Sequence, residues 1–241
     1  MSSSSLSLES SSALIKQNVA ELLREEILTG GLQPGDRVVE GKWASRLGVA
    51  QGSVREALNI LAVEGFIDKP PGRIARITKL SAEDVMQRYE VRAALEGLAA
   101  RLVAIRNMDL SDLRQNLADM KAAAEQGNMR ALIERDLQFH LLLCKKSGNR
   151  YLLQEATRLL VPLFAFTAIR TIRLSVEPKP WISTLEEHRQ IVNVIELGDP
   201  AVAQKYVANT IERFASDAMQ VWIGDGNSQG VISASRRSSA T

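Results

Sequence analysis

Residues 40–59, EGKWASRLGVAQGSVREALN, decide the fold because they predict two short helices joined by a tight turn. Ala44 is small at the position where the two helices of a helix-turn-helix press together. Gly48 follows at the turn, where the absence of a Cβ permits a left-handed backbone conformation. Val54 is spaced to point from the second helix into the core. The segment therefore predicts a motif whose second helix enters the major groove of DNA.

The flanking sequence predicts that this motif belongs to a winged helix-turn-helix domain over residues 13–79. An apolar stripe marks a helix before the motif. After the motif, residues 73–77 alternate basic and apolar side chains, which indicates the return strand of a hairpin with its tip near Gly72. The predicted helices of this domain span residues 13–29, 40–47 and 51–64.

Residues 80–222 show only helical patterning and are predicted to form a second domain. Ser81 is a suitable N-cap for its first helix, with Asp84 in the first turn. Six amphipathic segments separated by short breaks predict an antiparallel bundle of six to seven helices, so the fold class is mainly α. The predicted helices span residues 82–106, 109–126, 129–146, 150–174, 182–197 and 199–222.

Composition narrows the classes of protein. The chain has 241 residues and a formal net charge of +2, but residues 37–79 carry eight Lys/Arg against four Asp/Glu, an excess suited to a phosphate-binding face. A single cysteine excludes an intrachain disulfide framework, and no uninterrupted apolar run has membrane-spanning length. We therefore expect a cytoplasmic, nucleoid-associated protein without membrane contact. The Ser-rich ends, residues 1–12 and 223–241, are predicted to be disordered tails.

Polar residues on the outer face of the second motif helix and on the hairpin are candidates for DNA contact. Glutamine can pair with adenine, and arginine with guanine or a phosphate. The alternative for Arg55 is an ion pair with Glu56 or Glu64, and for the hairpin arginines it is a plain solvated strand. The candidate DNA-binding residues are Arg46, Gln51, Gly52, Ser53, Arg55, Asn59, Gly72, Arg73 and Arg76.

Two histidines and a carboxylate suggest a metal site in the bundle. Asp136 and His140 are spaced i, i+4 and share a helix face, and they converge with His188 if the helices over 129–146 and 182–197 are neighbours. Three such ligands with an open position suit a divalent metal. The alternative for the Asp136–His140 pair is an ordinary hydrogen bond along a helix.

Arg92, beside Tyr89 on the first bundle helix, is a candidate anchor for a ligand carboxylate. The alternative is an ion pair with Glu96 at i+4. The chain has no nucleophile elbow, dinucleotide fingerprint or paired acids in a groove, so we expect a binding protein rather than an enzyme. Two other functions stay open at this point, a metalloenzyme in which Asp136, His140 and His188 activate water, and a DNA-binding dimer with a vestigial pocket.

The run PGDRVVEGKWASRLGVAQGSVREALNILAVEGFI resembles the winged helix-turn-helix of GntR-family bacterial transcription regulators. The segments RYEVRAALEGLAARL, DLQFHLLLCKKSGN and LEEHRQI resemble, in that order, the FCD effector domain of the FadR-type branch. Six bundle helices resemble the VanR-like subgroup more than the seven-helix form. The resemblance covers residues 15–222.

This resemblance implies a ligand-responsive homodimer that represses a catabolic or transport operon at a palindromic operator until a small organic acid enters the bundle. It also implies one divalent metal per chain, Zn, Mn or Ni, held by one Asp and three His. The matching metal ligands are Asp136, His140 and His188, and the matching effector-binding residues are Tyr89, Arg92, Asp136, His140, His188 and Thr210.

Two departures from the family pattern change what is expected. Thr210 stands where the family has its third metal-binding histidine, so the metal site lacks one ligand. Three alternatives stay open: a weak metal site, a site completed by water, or a ligand pocket without metal. The usual Ser-Arg-Thr-Pro before VREAL is replaced by AQGS at residues 50–53, so operator preference is expected to differ.

Overall fold

The computed structural model describes residues 3–174 and 181–223, which divide into two compact units, one within residues 1–80 and one within residues 81–241. The first unit contains three helices and a small antiparallel sheet with the strand order β1–β3–β2. Its elements are α1 (Ser3–Leu28), β1 (Arg37–Val38), α2 (Glu40–Leu47), α3 (Gln51–Val63), β2 (Ile67–Asp68) and β3 (Ala75–Ile77).

The helix-turn-helix is built as the sequence predicts. Gly48 ends α2 in the left-handed region, with φ +65°. Val54 is fully buried and Ala44 nearly so, which puts both in the core between the helices. The polar side of α3 is consequently left exposed.

Two features of this unit differ from the sequence-based expectation. Helix α1 begins at Ser3, inside the stretch predicted as a disordered tail. Serine disfavours helix only slightly, and extending an existing helix needs no new nucleus, so a Ser-rich stretch can continue one. The strand β1 was not predicted, because two residues are too few to leave an alternating pattern. It is held by pairing Arg37 with Arg76 and Val38 with Ala75.

The second unit is a helical bundle, which confirms the predicted mainly α fold class. The part of this unit that the structure describes contains six helices, and the predicted tail beyond Ile223 lies outside the described residues. These helices are α4 (Ala82–Arg106), α5 (Ser111–Glu125), α6 (Met129–Lys146), α7 (Arg150–Leu174), α8 (Trp181–Glu196) and α9 (Pro200–Ile223).

Helix α4 is central because it contacts α6, α7, α8 and α9. Its approach to α9 is close at Gly97, where a Cβ would lie 3.0 Å from the carbonyl oxygen of Gln204 and 3.3 Å from the Cβ of Ala208. The two backbones can approach this closely because position 97 carries no side chain. Residues on the inner face of α4 therefore lie deep in the bundle.

Within the described residues, one stretch of α7, Arg150–Arg170, is long and apolar enough to cross a membrane by length and composition alone. The core helix of a water-soluble protein passes the same test. Leu160, Leu163 and Phe166 of this stretch are buried within the bundle.

The start of α4 carries the predicted N-cap. Asp84 N–H donates to Ser81 Oγ at 3.0 Å, and Ser81 N–H donates to Asp84 Oδ2 at 2.7 Å, which completes a capping box. The Ser81 hydroxyl also donates to Asp84 Oδ2 at 2.6 Å, and this bond, together with the one from Ser81 N–H, lowers the pKa of Asp84 below its ordinary value, although burial opposes the shift.

Replacing the cap should destabilise the bundle measurably. Ser81→Ala removes the acceptor for Asp84 N–H and is expected to lower the free energy of unfolding by about 1 kcal/mol, measured by urea denaturation. The matched control is Ser216→Ala, an exposed serine inside α9, where alanine should be neutral or slightly stabilising. Equal effects of the two substitutions would contradict a capping role for Ser81.

Candidate functional site

The three predicted metal ligands converge inside the bundle. Asp136 and His140 project from the same face of α6, and His188 reaches them from α8. Asp136 Oδ1 lies 3.2 Å from His140 Nε2 and 3.0 Å from His188 Nε2, and the two Nε2 atoms are 3.2 Å apart. We call these three atoms the donor triangle. Both histidines are completely buried, and Asp136 is mostly so.

The other ring nitrogen fixes the tautomer of each histidine. His140 Nδ1 lies 2.5 Å from Glu96 Oε2, and His188 Nδ1 lies 2.7 Å from the carbonyl oxygen of Thr184. A carboxylate and a carbonyl can only accept, so each Nδ1 carries the proton and donates it. In the neutral rings, both Nε2 atoms then present lone pairs to the donor triangle.

With both rings neutral, the donor triangle brings together three acceptors and no proton. Such an arrangement is repulsive unless a cation, either a proton or a metal ion, lies between the atoms. Metal–nitrogen distances of about 2.0–2.1 Å separate neighbouring ligand atoms by about 2.9–3.4 Å. The observed separations lie in this range, so the residues present fit a divalent metal.

A buried ion pair supports the donor triangle from α4. Arg92 Nε donates to Glu96 Oε1 at 2.6 Å, and Glu96 Oε2 binds His140. Burial opposes ionisation of Glu96, but the charges of Arg92 and His140 outweigh it and lower the pKa of Glu96 to about 2. Burial likewise opposes ionisation of Asp136, yet His188 and His140 hold its pKa well below the ordinary value.

The Arg92–Glu96 ion pair that the sequence left as an alternative is thus present. Sequence reasoning missed the second half of this arrangement, the contact from Glu96 to His140, because these residues lie on different helices. The only available signal was an acidic side chain on the predicted inner face of α4.

Aromatic rings enclose the two histidines. Phe139 packs edge-on against His188 with ring centroids 4.7 Å apart, and Phe214 stacks on His188 at 5.3 Å. Phe164 contacts His140 at a centroid distance of 5.8 Å. These rings surround the two imidazoles with apolar surface, and a low local dielectric strengthens electrostatic interactions.

The predicted effector residues are buried, but they differ in their contacts. The guanidinium of Arg92 lies 5.1 Å from the ring centroid of Tyr89, and its buried Nη2 has no hydrogen-bond partner among the residues that the structure describes. Thr210 is also buried, but its hydroxyl donates to the Tyr206 carbonyl at 2.9 Å and accepts from Arg213 Nη2. Thr210 thus directs its oxygen to its own helix.

Two of the candidate DNA-binding residues on α3, Gln51 and Arg55, contact one acidic side chain. Arg55 pairs with Glu40, with Nε to Oε2 at 3.0 Å, so neither partner suggested by the sequence, Glu56 or Glu64, is correct. Gln51 Nε2 approaches the same Oε2 at 3.4 Å. Glu64 is held instead by Arg24 of α1. Gly52 is exposed and Ser53 half-buried at the start of α3.

The remaining DNA candidates lie on exposed surfaces of the same unit. Arg46 packs over the Trp43 ring at 4.6 Å and pairs with Glu26. Asn59 accepts from Lys69 Nζ at 2.9 Å.

In the wing, the chain turns at Gly72, with φ +70°. Arg73 and Arg76 line an open groove of about 360 Å³ together with Arg37, an arginine that the sequence analysis did not select.

The buried ion pair should be essential for stability. Glu96→Gln keeps the side-chain shape but leaves the charge of Arg92 uncompensated, so we expect a loss of about 3–5 kcal/mol in the free energy of unfolding. Urea denaturation in the presence of a chelator measures this loss. Glu90→Gln, an exposed acid on the same helix, is the matched control and should have little effect. A Glu96→Gln protein as stable as the control would refute the assignment.

Residues 15–77 match the family described as bacterial regulatory proteins, gntR family, and residues 87–213 match the FCD domain. A probable D-xylose utilization operon transcriptional repressor of Paenarthrobacter nicotinovorans is 28% identical over 209 residues, covering 85% of this chain and 90% of the relative. The Glc operon transcriptional activator of Escherichia coli K12 is 28% identical over 211 residues, covering 78% and 82%.

Solved structures of E. coli McbR/YncC and of a putative GntR regulator from Rhodococcus sp. RHA1 share the fold. Their TM-scores are 0.68 and 0.67, their sequence identities 20% and 19%, and they cover 86% and 87% of this chain, each with 97% of its own length. The chain therefore belongs to the GntR family of bacterial transcription regulators, carries an FCD domain in its second unit, and is a regulator rather than an enzyme.

Proposed function

We propose that this regulator binds a palindromic operator as a homodimer and represses a catabolic or transport operon until a small organic acid enters the bundle. The observation that carries the proposal is the buried donor triangle near Arg92, whose Nη2 has no acceptor in the described structure, in the domain that follows a helix-turn-helix. The names of the two curated relatives, which refer to operons for D-xylose utilization and Glc, support a catabolic operon, and the first is named a repressor.

In the proposed complex, α3 enters the major groove, where Gln51 and Arg55 reach base edges. The arginines of the wing, Arg73 and Arg76, contact phosphates or the minor groove. Two recognition helices of a dimer would read half-sites about 34 Å apart. The exposed polar face of α3 and the basic groove of the wing support this arrangement.

In the bundle, Asp136, His140 and His188 would hold one divalent ion, with Zn, Mn and Ni all compatible with two imidazoles and a carboxylate. The bound ion would supply an electrophilic centre for an oxygen of the effector. Glu96 and the Thr184 carbonyl keep both imidazoles in the tautomer that ligation needs. Thr210 contributes no imidazole, which leaves the protein with three ligands.

Arg92 is the proposed anchor for the effector carboxylate. Its Nε is occupied by Glu96, whereas its buried Nη2 has no acceptor within the described part of the chain, and leaving a buried donor unpaired is unfavourable. A ligand carboxylate would provide the missing acceptor at low dielectric, where charged hydrogen bonds are strong. Effector binding then favours one arrangement of the bundle over another, and the operator responds through linkage.

Metal content tests the proposed ligands. The purified, tag-free protein is expected to contain about one divalent ion per chain by mass spectrometry, and His140→Ala should lose it. The matched control is Cys144→Ala, a buried residue one turn further along α6, which should retain the ion. A metal-free wild-type protein would contradict the metal proposal and leave Arg92 as the main effector contact.

DNA binding tests the proposed recognition helix. Arg55→Ala is expected to weaken binding by about 1–3 kcal/mol to the operator duplex that the wild-type protein selects from a random library. Arg158→Ala, an exposed arginine of the bundle, is the matched control and should bind normally. Unchanged operator affinity of Arg55→Ala, with an unchanged circular dichroism spectrum, would refute the role of α3.

A further inference from the structure

We propose that Glu40 determines the sequence specificity of the DNA-binding face. Its carboxylate holds Arg55 and Gln51 in a fixed pose toward base edges, and it competes with the phosphates of arbitrary DNA for the same cations. The inference rests on the proposed role of α3 as the recognition helix and assigns a function to a residue of α2.

The geometry gathers three polar side chains on one carboxylate. Glu40 Oε2 accepts from Arg55 Nε at 3.0 Å and from Gln51 Nε2 at 3.4 Å, while Glu40 Oε1 lies 3.4 Å from Lys69 Nζ. The Glu40 side chain is only 19% exposed, and these contacts lower its pKa, with Arg55 as the largest cause. Glu40 is therefore an anion built into the centre of the candidate DNA face.

The contact between Glu40 and Arg55 leaves both Nη groups of the arginine available for DNA. Glu40 engages Nε, and neither Nη nitrogen of Arg55 makes a hydrogen bond to any of the residues that the structure describes. The two Nη groups are the donors that pair with guanine, and the Arg55 side chain is 56% exposed. Fixing Nε thus orients the guanidinium before DNA arrives.

Lys69 is bound in the same way. Its Nζ lies near Glu40, donates to Asn59 Oδ1 at 2.9 Å and approaches the carbonyl oxygen of Arg55 at 3.4 Å. A phosphate that approaches Arg55 or Lys69 must displace or share Glu40, whereas a correctly placed base meets an arginine already in position. The protein would thus distinguish its operator from other DNA by combining the repulsion between Glu40 and phosphates with the attraction between Arg55 and a base.

Folding stability does not explain the arrangement well. Partly exposed ion pairs contribute little to folding stability. An acid in the first turn of α2 stabilises that helix through its charge alone, without a partner on α3. The contacts to two candidate recognition residues point instead to DNA binding.

The test compares Glu40→Gln with wild type on two duplexes of equal length, the operator selected from a random library and a random sequence. Fluorescence anisotropy is measured across a salt series. We expect Glu40→Gln to bind the random duplex roughly fivefold more tightly, with a salt slope steeper by about 1, because Arg55 and Lys69 are released for phosphates. The ratio of operator to random-duplex affinity should fall accordingly.

The matched control is Glu25→Gln, which removes the same charge from an exposed acid of α1. An unchanged affinity ratio in Glu40→Gln, or an equal change in Glu25→Gln, would overturn the inference, since net charge alone would then account for the result. Failure of the proposed function gives a different pattern, because Arg55→Ala would then bind the operator normally. If Arg55→Ala loses operator binding while Glu40→Gln keeps the wild-type affinity ratio, only the inference about Glu40 is refuted.

Discussion

The buried carboxylate of Glu96 is the interaction on which the bundle depends. Its two oxygens bind Arg92 on the same helix and His140 on α6, so a charge that would be very unfavourable alone becomes a link between two helices. Glu96 is fully buried on α4, the helix that contacts four other helices of the bundle. The orientation of His140, and with it the donor triangle, follows from that position.

The same network ties the two proposed ligand contacts together. Arg92 meets the effector in the proposal, His140 meets the ion, and Glu96 touches both. A change in charge at either end alters the field felt at the other, because little water lies between them to screen it. Coupling between acid and metal would then be a property of one side chain rather than of a long pathway.

Local spacing in the sequence was sufficient to predict the helices of the bundle, the helix-turn-helix and the Asp136–His140 pair, because each rests on a period of one helical turn. Contacts between side chains on different helices could not be predicted in this way. Arg55 was given acids on its own helix, whereas the structure pairs it with Glu40 of α2. Likewise, nothing within residues 92–96 indicates that Glu96 meets a histidine far along the chain. Which of several nearby acids an arginine pairs with depends on how the helices pack, and sequence periodicity does not specify that packing.

The complete burial of His140 and His188 has a kinetic consequence. Under the proposed function, an ion or acid could reach the two imidazoles only when the surrounding helices part, so its association rate would be set by how often the bundle opens rather than by diffusion. Departure is limited by the same step. A sensor built in this way would average over brief fluctuations in ligand concentration and would respond only to changes that last longer than its own opening time.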